Sequence, residues 1–276
     1  MAAIGKVNNL QVLRSVDFGL YLDAGELDSI LLPIRYVPKG AKVGDWLDVF
    51  IYLDSEDRLI CTTETPRVMV GQCANLKVVS TTPIGAFVDW GLSKDLLIPF
   101  GEQVVPMTVD QSYPVFAFLD PRTKRITGST KIARHLSEVA LYLAPEQPVE
   151  FLIYQRTDLG YMGVIENRCL GLLFHQDILQ PIDIGQRLKG FVKEIRHDNK
   201  VTLSLQLQGQ EARNELSQQI LDDLKSNDGT SALTDKSTPD AIYKKFSASK
   251  ASYKRALGAL YKQRLITIEK DKVTLL

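Results

Sequence analysis

Only three of the 276 residues are cysteine (Cys61, Cys73, Cys169), widely spaced and without a Cys-x-x-Cys pair. An odd, scattered set argues against a disulfide scaffold and fits a reducing cytoplasm. Histidine is as scarce: His135, His175 and His197 lie far apart, and none sits in a zinc-binding spacing. No apolar run approaches the roughly 18–20 residues that cross a membrane, so no membrane partner is expected. Met1-Ala2-Ala3-Ile4-Gly5-Lys6 lacks a charged stretch followed by an apolar one, and no secretory signal is expected. Charge of one sign is not in excess either, with 33 Lys+Arg against 33 Asp+Glu. That excludes a uniformly basic chain and leaves a locally basic one open.

Catalytic patterns are also missing. Gly128-Ser129-Thr130-Lys131 lacks the Gly-Lys-[Ser/Thr] order of a phosphate loop, and there is no Gly-x-Ser-x-Gly elbow. Asp222 and Asp223 are adjacent on one helix and face different ways, which does not converge carboxylates on a metal. The chain reads as a non-enzyme with no cofactor, no metal and no small-molecule substrate.

What is present is ordinary globular composition, 45% hydrophobic and 24% charged. Repeats organise it. Phe18-Gly19-Leu20-Tyr21-Leu22-Asp23 recurs as Ile84-Gly85-Ala86-Phe87-Val88-Asp89, and Leu31-Leu32-Pro33 recurs as Leu97-Ile98-Pro99, both 66 residues on. Gly44-Asp45 has no clean counterpart; Gln111-Ser112 lies nearby. A weaker third copy, Leu159-Gly160-Tyr161-Met162-Gly163-Val164, follows 75 residues later, with Val201-Thr202-Leu203-Ser204 behind it. Each copy reads as five short strands, alternating by two and punctuated by Gly, Pro, Asp and Asn. In the first they are Gly5–Arg14, Phe18–Asp23, Ser29–Pro33, Trp46–Asp54 and Leu59–Thr63. So short a chain buries one face best by closing the strands into a barrel. Gly19, Gly85 and Gly160 serve either strand curvature or the approach of a ligand.

The tail differs. Ala212, Leu216, Ile220 and Leu224 recur every four residues, a helix with an apolar stripe. Thr238-Pro239 opens a second helix to Phe246, and Ser249 caps a third over Lys250–Arg264. Gly258 inside it costs about 1 kcal/mol against alanine, so close packing is expected there. Strands Leu265–Glu269 and Lys272–Leu275, joined at Lys270-Asp271, complete a winged-helix order. The four segments are 1–66, 67–140, 141–208 and 209–276, with net charges of −4, +2, −1 and +3. Residues 241–264 carry seven basic side chains and no acid, the footprint of a helix that contacts nucleic acid, or else a solvated face used for protein contact.

These features resemble tandem S1-type oligonucleotide-binding barrels. With Asp235-Lys236-Ser237, Ser249-Lys250-Ala251-Ser252-Tyr253-Lys254 and Leu257-Gly258-Ala259-Leu260-Tyr261-Lys262, the whole resembles the bacterial conserved virulence factor B family. The resemblance implies a mostly β chain of three five-stranded S1/OB barrels, then a C-terminal α+β winged helix. It also implies RNA binding with a regulatory consequence. Two aromatics three apart stack on bases in such barrels. Phe18 and Tyr21 keep both; Ile84 and Phe87 keep one; Leu159 and Met162 keep neither, though Tyr161 lies between. A histidine usual on the third strand is replaced by Leu32, Ile98 and Phe174, the last followed by His175. The Asp-then-basic pair survives as Asp54/Arg58 and Asp120/Lys124, and blurs to Arg196, Asp198 and Lys200. Arg35 and Lys77 join the candidates on the barrels, and Lys250, Lys254, Arg255 and Lys262 on the winged helix. The alternative for Phe18, Tyr21 and Phe87 is plain barrel packing. The expected partner is single-stranded RNA, with duplex DNA, or a ribosomal or RNA-decay protein, as the competing readings.

Overall fold

The computed structural model describes residues 2–178, 181–206, 210–269 and 271–276. Strands β1 (Val7–Val16), β2 (Gly19–Asp23), β3 (Ser29–Pro33), β4 (Trp46–Leu53) and β5 (Leu59–Thr62) close into a barrel in the order β1-β2-β3-β5-β4. Alternate side chains point inward, and Leu10, Val12, Leu22, Ile30, Leu32, Val49 and Ile51 fill the interior. The second unit has β6 (Cys73–Thr82), β7 (Gly85–Asp89), β8 (Leu96–Pro99), β9 (Ser112–Leu119) and β10 (Ile126–Ser129). The third has β11 (Pro148–Arg156), β12 (Gly160–Ile165), β13 (Cys169–Phe174), β14 (Arg187–Ile195) and β15 (Val201–Ser204), closed in the order of the first.

The second barrel closes without a ladder. In the first and third, β3 pairs with β5 and β13 with β15 in parallel; the second is a five-stranded sheet ending in β8 and β10. Those two edges still touch, because a Cβ on Gly128 of β10 would stand 2.8 Å from Ile98 and 3.3 Å from Leu96 of β8.

The repeat is structural to the residue. Each first strand carries a bulge at the same place, between Val12 and Arg14, Val78 and Ser80, and Ile153 and Gln155. Opposite it, Gly44-Asp45 is bonded to Val12, Asp110-Gln111 to Val78, and Gly185-Gln186 to Ile153. The counterpart of Gly44 is therefore Asp110, at the 66-residue repeat distance and one residue before Gln111. It holds φ 68°, where Gly44 and Gly185 hold 95° and 89°, and aspartate is among the few non-glycine residues that accept this region. At Gly19, Gly85 and Gly160 a Cβ would stand 2.1, 2.3 and 2.0 Å from the carbonyl oxygens of Leu32, Ile98 and Leu173. These glycines make room for the neighbouring strand's backbone, which decides between curvature and ligand in favour of the fold.

The barrels are packed into one another. Phe50 and Tyr52 of β4 belong to the core of the second barrel, with Phe50 edge-on to Trp90 at 5.6 Å, and Arg125 pairs with Asp57 at 2.6 Å. A separate cluster joins the second barrel to the third: Cys73, Phe116 and Ile132 meet Leu152, Val164 and Leu170, with Met162 and Tyr154 against them. His135 lies between Phe116 and Phe118, its ring centroid 4.8 and 4.7 Å from theirs. Across this joint Cys73 N–H donates to Asn167 Oδ1 at 2.7 Å, and Arg187 donates to the Cys73 carbonyl at 3.3 Å.

The C-terminal domain has α1 (Gln210–Ser226), β16 (Thr230–Ser231), α2 (Pro239–Phe246), α3 (Lys250–Lys262), β17 (Ile266–Ile268) and β18 (Val273–Leu275). Leu216, Ile220 and Leu224 of the expected stripe are buried; the side chain of Ala212, and Lys270, lie outside the described residues. Thr238 accepts from Ala241 N–H at 3.4 Å and Ser249 from Ser252 N–H at 3.0 Å, so both expected caps form. The buried face of α3 is Tyr253, Ala256, Leu257 and Leu260. Two expectations are corrected. Gly258 is not closely packed, since a Cβ there would meet no described atom within 4 Å beyond its chain neighbours and the helix's own backbone. The segment after α1 contributes β16, a third strand beside β18.

Candidate nucleic-acid interface

The outer face of β2 and β3 carries the first group of candidates. Phe18, just before Gly19, is 56% exposed. It stands edge-on to Tyr21, with ring centroids 6.5 Å apart. The β1 bulge sets Arg14 opposite Tyr21, and its guanidinium lies 4.2 Å from that ring's centroid. An open ring, a half-buried ring and a cation are thus gathered on one strand pair, and Tyr21 lies against the sheet rather than sealed in the core. Arg35 is exposed and lies over Tyr36 at 4.5 Å.

In the second barrel Ile84 takes the place of Phe18 and is 60% exposed, while Phe87 is half-buried at the place of Tyr21. Sequence reasoning missed Phe100, which is 55% exposed. It follows Pro99, the partner of Gly85 across β7 and β8, as Ile34 follows Pro33, the partner of Gly19. The signal was available: Phe100 lies 66 residues after Ile34, the repeat distance. The second barrel has moved its open ring to the adjacent strand.

The third barrel turns the same face inward. Tyr21, Asp23, Ser29 and Leu31 of the first barrel correspond to Met162, Val164, Leu170 and Leu172, by the shared pairing registers. Val164 and Leu170 are 1% exposed, covered by Cys73, Phe116 and Ile132. Tyr161 packs against the barrel's own core, edge-on to His175 at 5.7 Å. Phe174 pairs with Gly160, as Pro33 does with Gly19, so the counterpart of Leu32 and Ile98 is Leu173; the equivalence drawn from sequence was one residue late. His175, exposed, holds the position of Ile34 and Phe100, its Nε2 3.2 Å from the Thr157 carbonyl oxygen.

The Asp-then-basic pairs are turn fasteners. Asp54 Oδ1 accepts from the backbone N–H of Glu56 and Arg58 at 2.8 and 3.0 Å, and Oδ2 accepts from the Arg58 guanidinium at 2.8 Å. Burial works against its charge, but these donors win and hold its pKa below the ordinary value. Asp120 Oδ1 likewise accepts from Arg122 and Thr123 at 2.8 and 3.0 Å, and those backbone donors lower its pKa. Lys124 is exposed at φ 57° on this turn. Lys77 pairs with Asp110 at 2.7 Å, Arg196 with Asp198 at 3.1 Å, and Lys200 with Glu138.

On α3, Lys254, Arg255 and Lys262 are exposed, and Lys250 donates to the Lys236 carbonyl at 3.4 Å. None of the four has an ion-pair partner among the described residues. Among the described residues no His/Cys/Asp/Glu group is arranged to hold a metal, and no helix is long and apolar enough to cross a membrane. The three thiols are buried, and burial pushes Cys61 and Cys73 up to about 12.

Residues 4–64 match the family model of the S1 domain, and residues 218–275 that of the CvfB-like winged helix domain. The uncharacterized protein YitL of Bacillus subtilis is 29% identical, the match covering 94% of this chain and 89% of that protein. Conserved virulence factor B of Staphylococcus saprophyticus is 27% identical over 85% of this chain and 81% of its own length. A solved multidomain protein with nucleic-acid-binding domains from Streptococcus pneumoniae covers 99% of this chain and 98% of its own, at 22% identity and a TM-score of 0.41. The chain thus carries an S1 domain at one end and a CvfB-like winged helix domain at the other, and is similar over most of its length to conserved virulence factor B.

Proposed function

We propose that this protein binds single-stranded RNA in the cytoplasm and acts on gene expression after transcription, without catalysis of its own. The strand lies over Phe18, Tyr21 and Arg14 of the first barrel and continues to Phe87 and Phe100 of the second, while α3 of the winged helix adds a cationic contact. One observation carries the reading: an open ring beside a half-buried one that carries a guanidinium over it, on the outer face of an S1 barrel. An aromatic face stacks on any unpaired base, and the cation beside it answers the phosphate. The third barrel acts as a spacer, because its corresponding face is packed against the second.

The test is titration of labelled single-stranded RNA with the full chain and with Phe18→Ala/Tyr21→Ala. Loss of about 1–3 kcal/mol per stacked base is expected, with affinity falling steeply as salt rises. Salt-independent binding, or full affinity in the double variant, overturns the reading. Preference for duplex DNA that vanishes without residues 209–276 favours a transcription regulator instead. A ribosomal or ribonuclease partner that survives nuclease treatment favours an adaptor.

A further inference from the structure

Gly258 sits in the interior of α3 and costs that helix about 1 kcal/mol against alanine. No packing against the described residues accounts for it, because a Cβ at 258 would meet no atom within 4 Å beyond its chain neighbours and the helix's own backbone. The surface around it is specific. On a helix the neighbours of a residue are those three and four positions away. For Gly258 these are Lys254, Arg255, Tyr261 and Lys262, all exposed, with Tyr261 at 57%. Three cations and one open ring therefore surround a patch of bare backbone. No acid occurs between residues 241 and 264, and Lys254, Arg255 and Lys262 form no ion pair among the described residues.

Each part has a use that the others complete. A missing side chain lets another backbone come close. Lysine and arginine at the rim suit a phosphodiester. An exposed tyrosine beside them offers a face for a base, and only an unpaired base has its own face free to meet it. Charge complementarity thus selects a polyanion, and the ring selects a single strand over a duplex.

We propose that Gly258 is the floor of a nucleotide seat on α3, where a phosphate of single-stranded RNA rests between Lys254, Arg255 and Lys262 and the adjoining base stacks on Tyr261. This deepens the RNA-binding reading and rests on it. The seat makes the winged helix a second single-strand contact, distinct from the rings of the first barrel.

The experiment compares Gly258→Ala, Tyr261→Ala and Tyr261→Phe with the parent chain, by anisotropy of labelled single-stranded RNA and of a duplex of the same sequence at low salt. Gly258→Ala improves helix propensity, so misfolding does not explain a loss. It is expected to raise the melting temperature of the winged helix while weakening single-strand binding severalfold. Tyr261→Ala is expected to weaken it roughly 5- to 150-fold, and Tyr261→Phe, which keeps the ring, to bind like the parent. If the parent binds RNA and both Gly258→Ala and Tyr261→Ala match it, the seat is overturned and the barrel reading stands. If duplex binding falls as much as single-strand binding, the single-strand assignment is overturned. A parent chain that binds no RNA overturns both.

Discussion

Asp54 shows how one residue is read differently by sequence and by structure. An acid followed by a base near the last turn of a barrel suggests a ligand pair, yet its two oxygens are committed to the loop between β4 and β5. An aspartate that caps a turn and one that meets a ligand look alike in sequence, since both favour loops. Several other acids of this net-negative segment are also occupied locally: Asp45 accepts from Lys42 N–H, Asp23 from Gly25 N–H, and Asp48 from Asn9. The lowered pKa of Asp54 means that the folded state binds its proton more weakly than the unfolded state. Its contribution is therefore full above the unfolded carboxylate value and is lost as pH falls through the lower folded value. Asp54→Asn is expected to cost about 1–2 kcal/mol in urea unfolding at pH 7, with the gap to the parent shrinking in acid and RNA affinity unchanged. A gap that persists once the carboxylate is protonated would remove the electrostatic account.

Elements were legible where a local rule governs them. The caps of α2 and α3, the five-strand repeat and the glycine of each second strand follow from propensity and spacing. β16 was not, because two residues carry no periodicity and their pairing with β18 is supplied by the tertiary fold. The burial of β13 had a signal that went unused: Cys169-Leu170-Gly171-Leu172-Leu173-Phe174 is apolar at both parities, the pattern of a strand covered on both faces. For α3 the local rule makes a direct prediction. Ser249 satisfies one orphan N–H of the first turn and also bonds Ser252 Oγ at 2.9 Å. Ser249→Ala is expected to cost about 1 kcal/mol, seen as a lower melting temperature of the winged-helix transition by circular dichroism. Ser249→Asp restores the acceptor and adds a charge favoured at a helix N-terminus, so it should recover the loss; no difference between the two variants would show that the cap bond contributes nothing.

At the scale of the whole chain, three copies of one barrel have been put to unequal use, and the joints between them explain why. The first keeps two rings and an arginine on its outer sheet; the second keeps Phe87 and gains Phe100. The third has replaced the equivalent face with Met162, Val164, Leu170 and Leu172 and spent it on the contact with Cys73, Phe116 and Ile132. Repeat spacing alone cannot report this, since it fixes where a residue sits in its own barrel and says nothing of which barrel lies against it. Leu170, 1% exposed, is at the centre of the joint. A lysine there must either bury an uncompensated charge, at a cost of several kcal/mol, or separate the barrels. Leu170→Lys is thus expected to lower the calorimetric melting temperature and to split the unfolding of the second and third barrels into separate steps. It should leave RNA affinity near that of the parent, because the rings of the first barrel are untouched. A marked loss of affinity in a variant whose first barrel still unfolds normally would mean that the RNA path crosses the joint, and would return the third barrel to the binding surface.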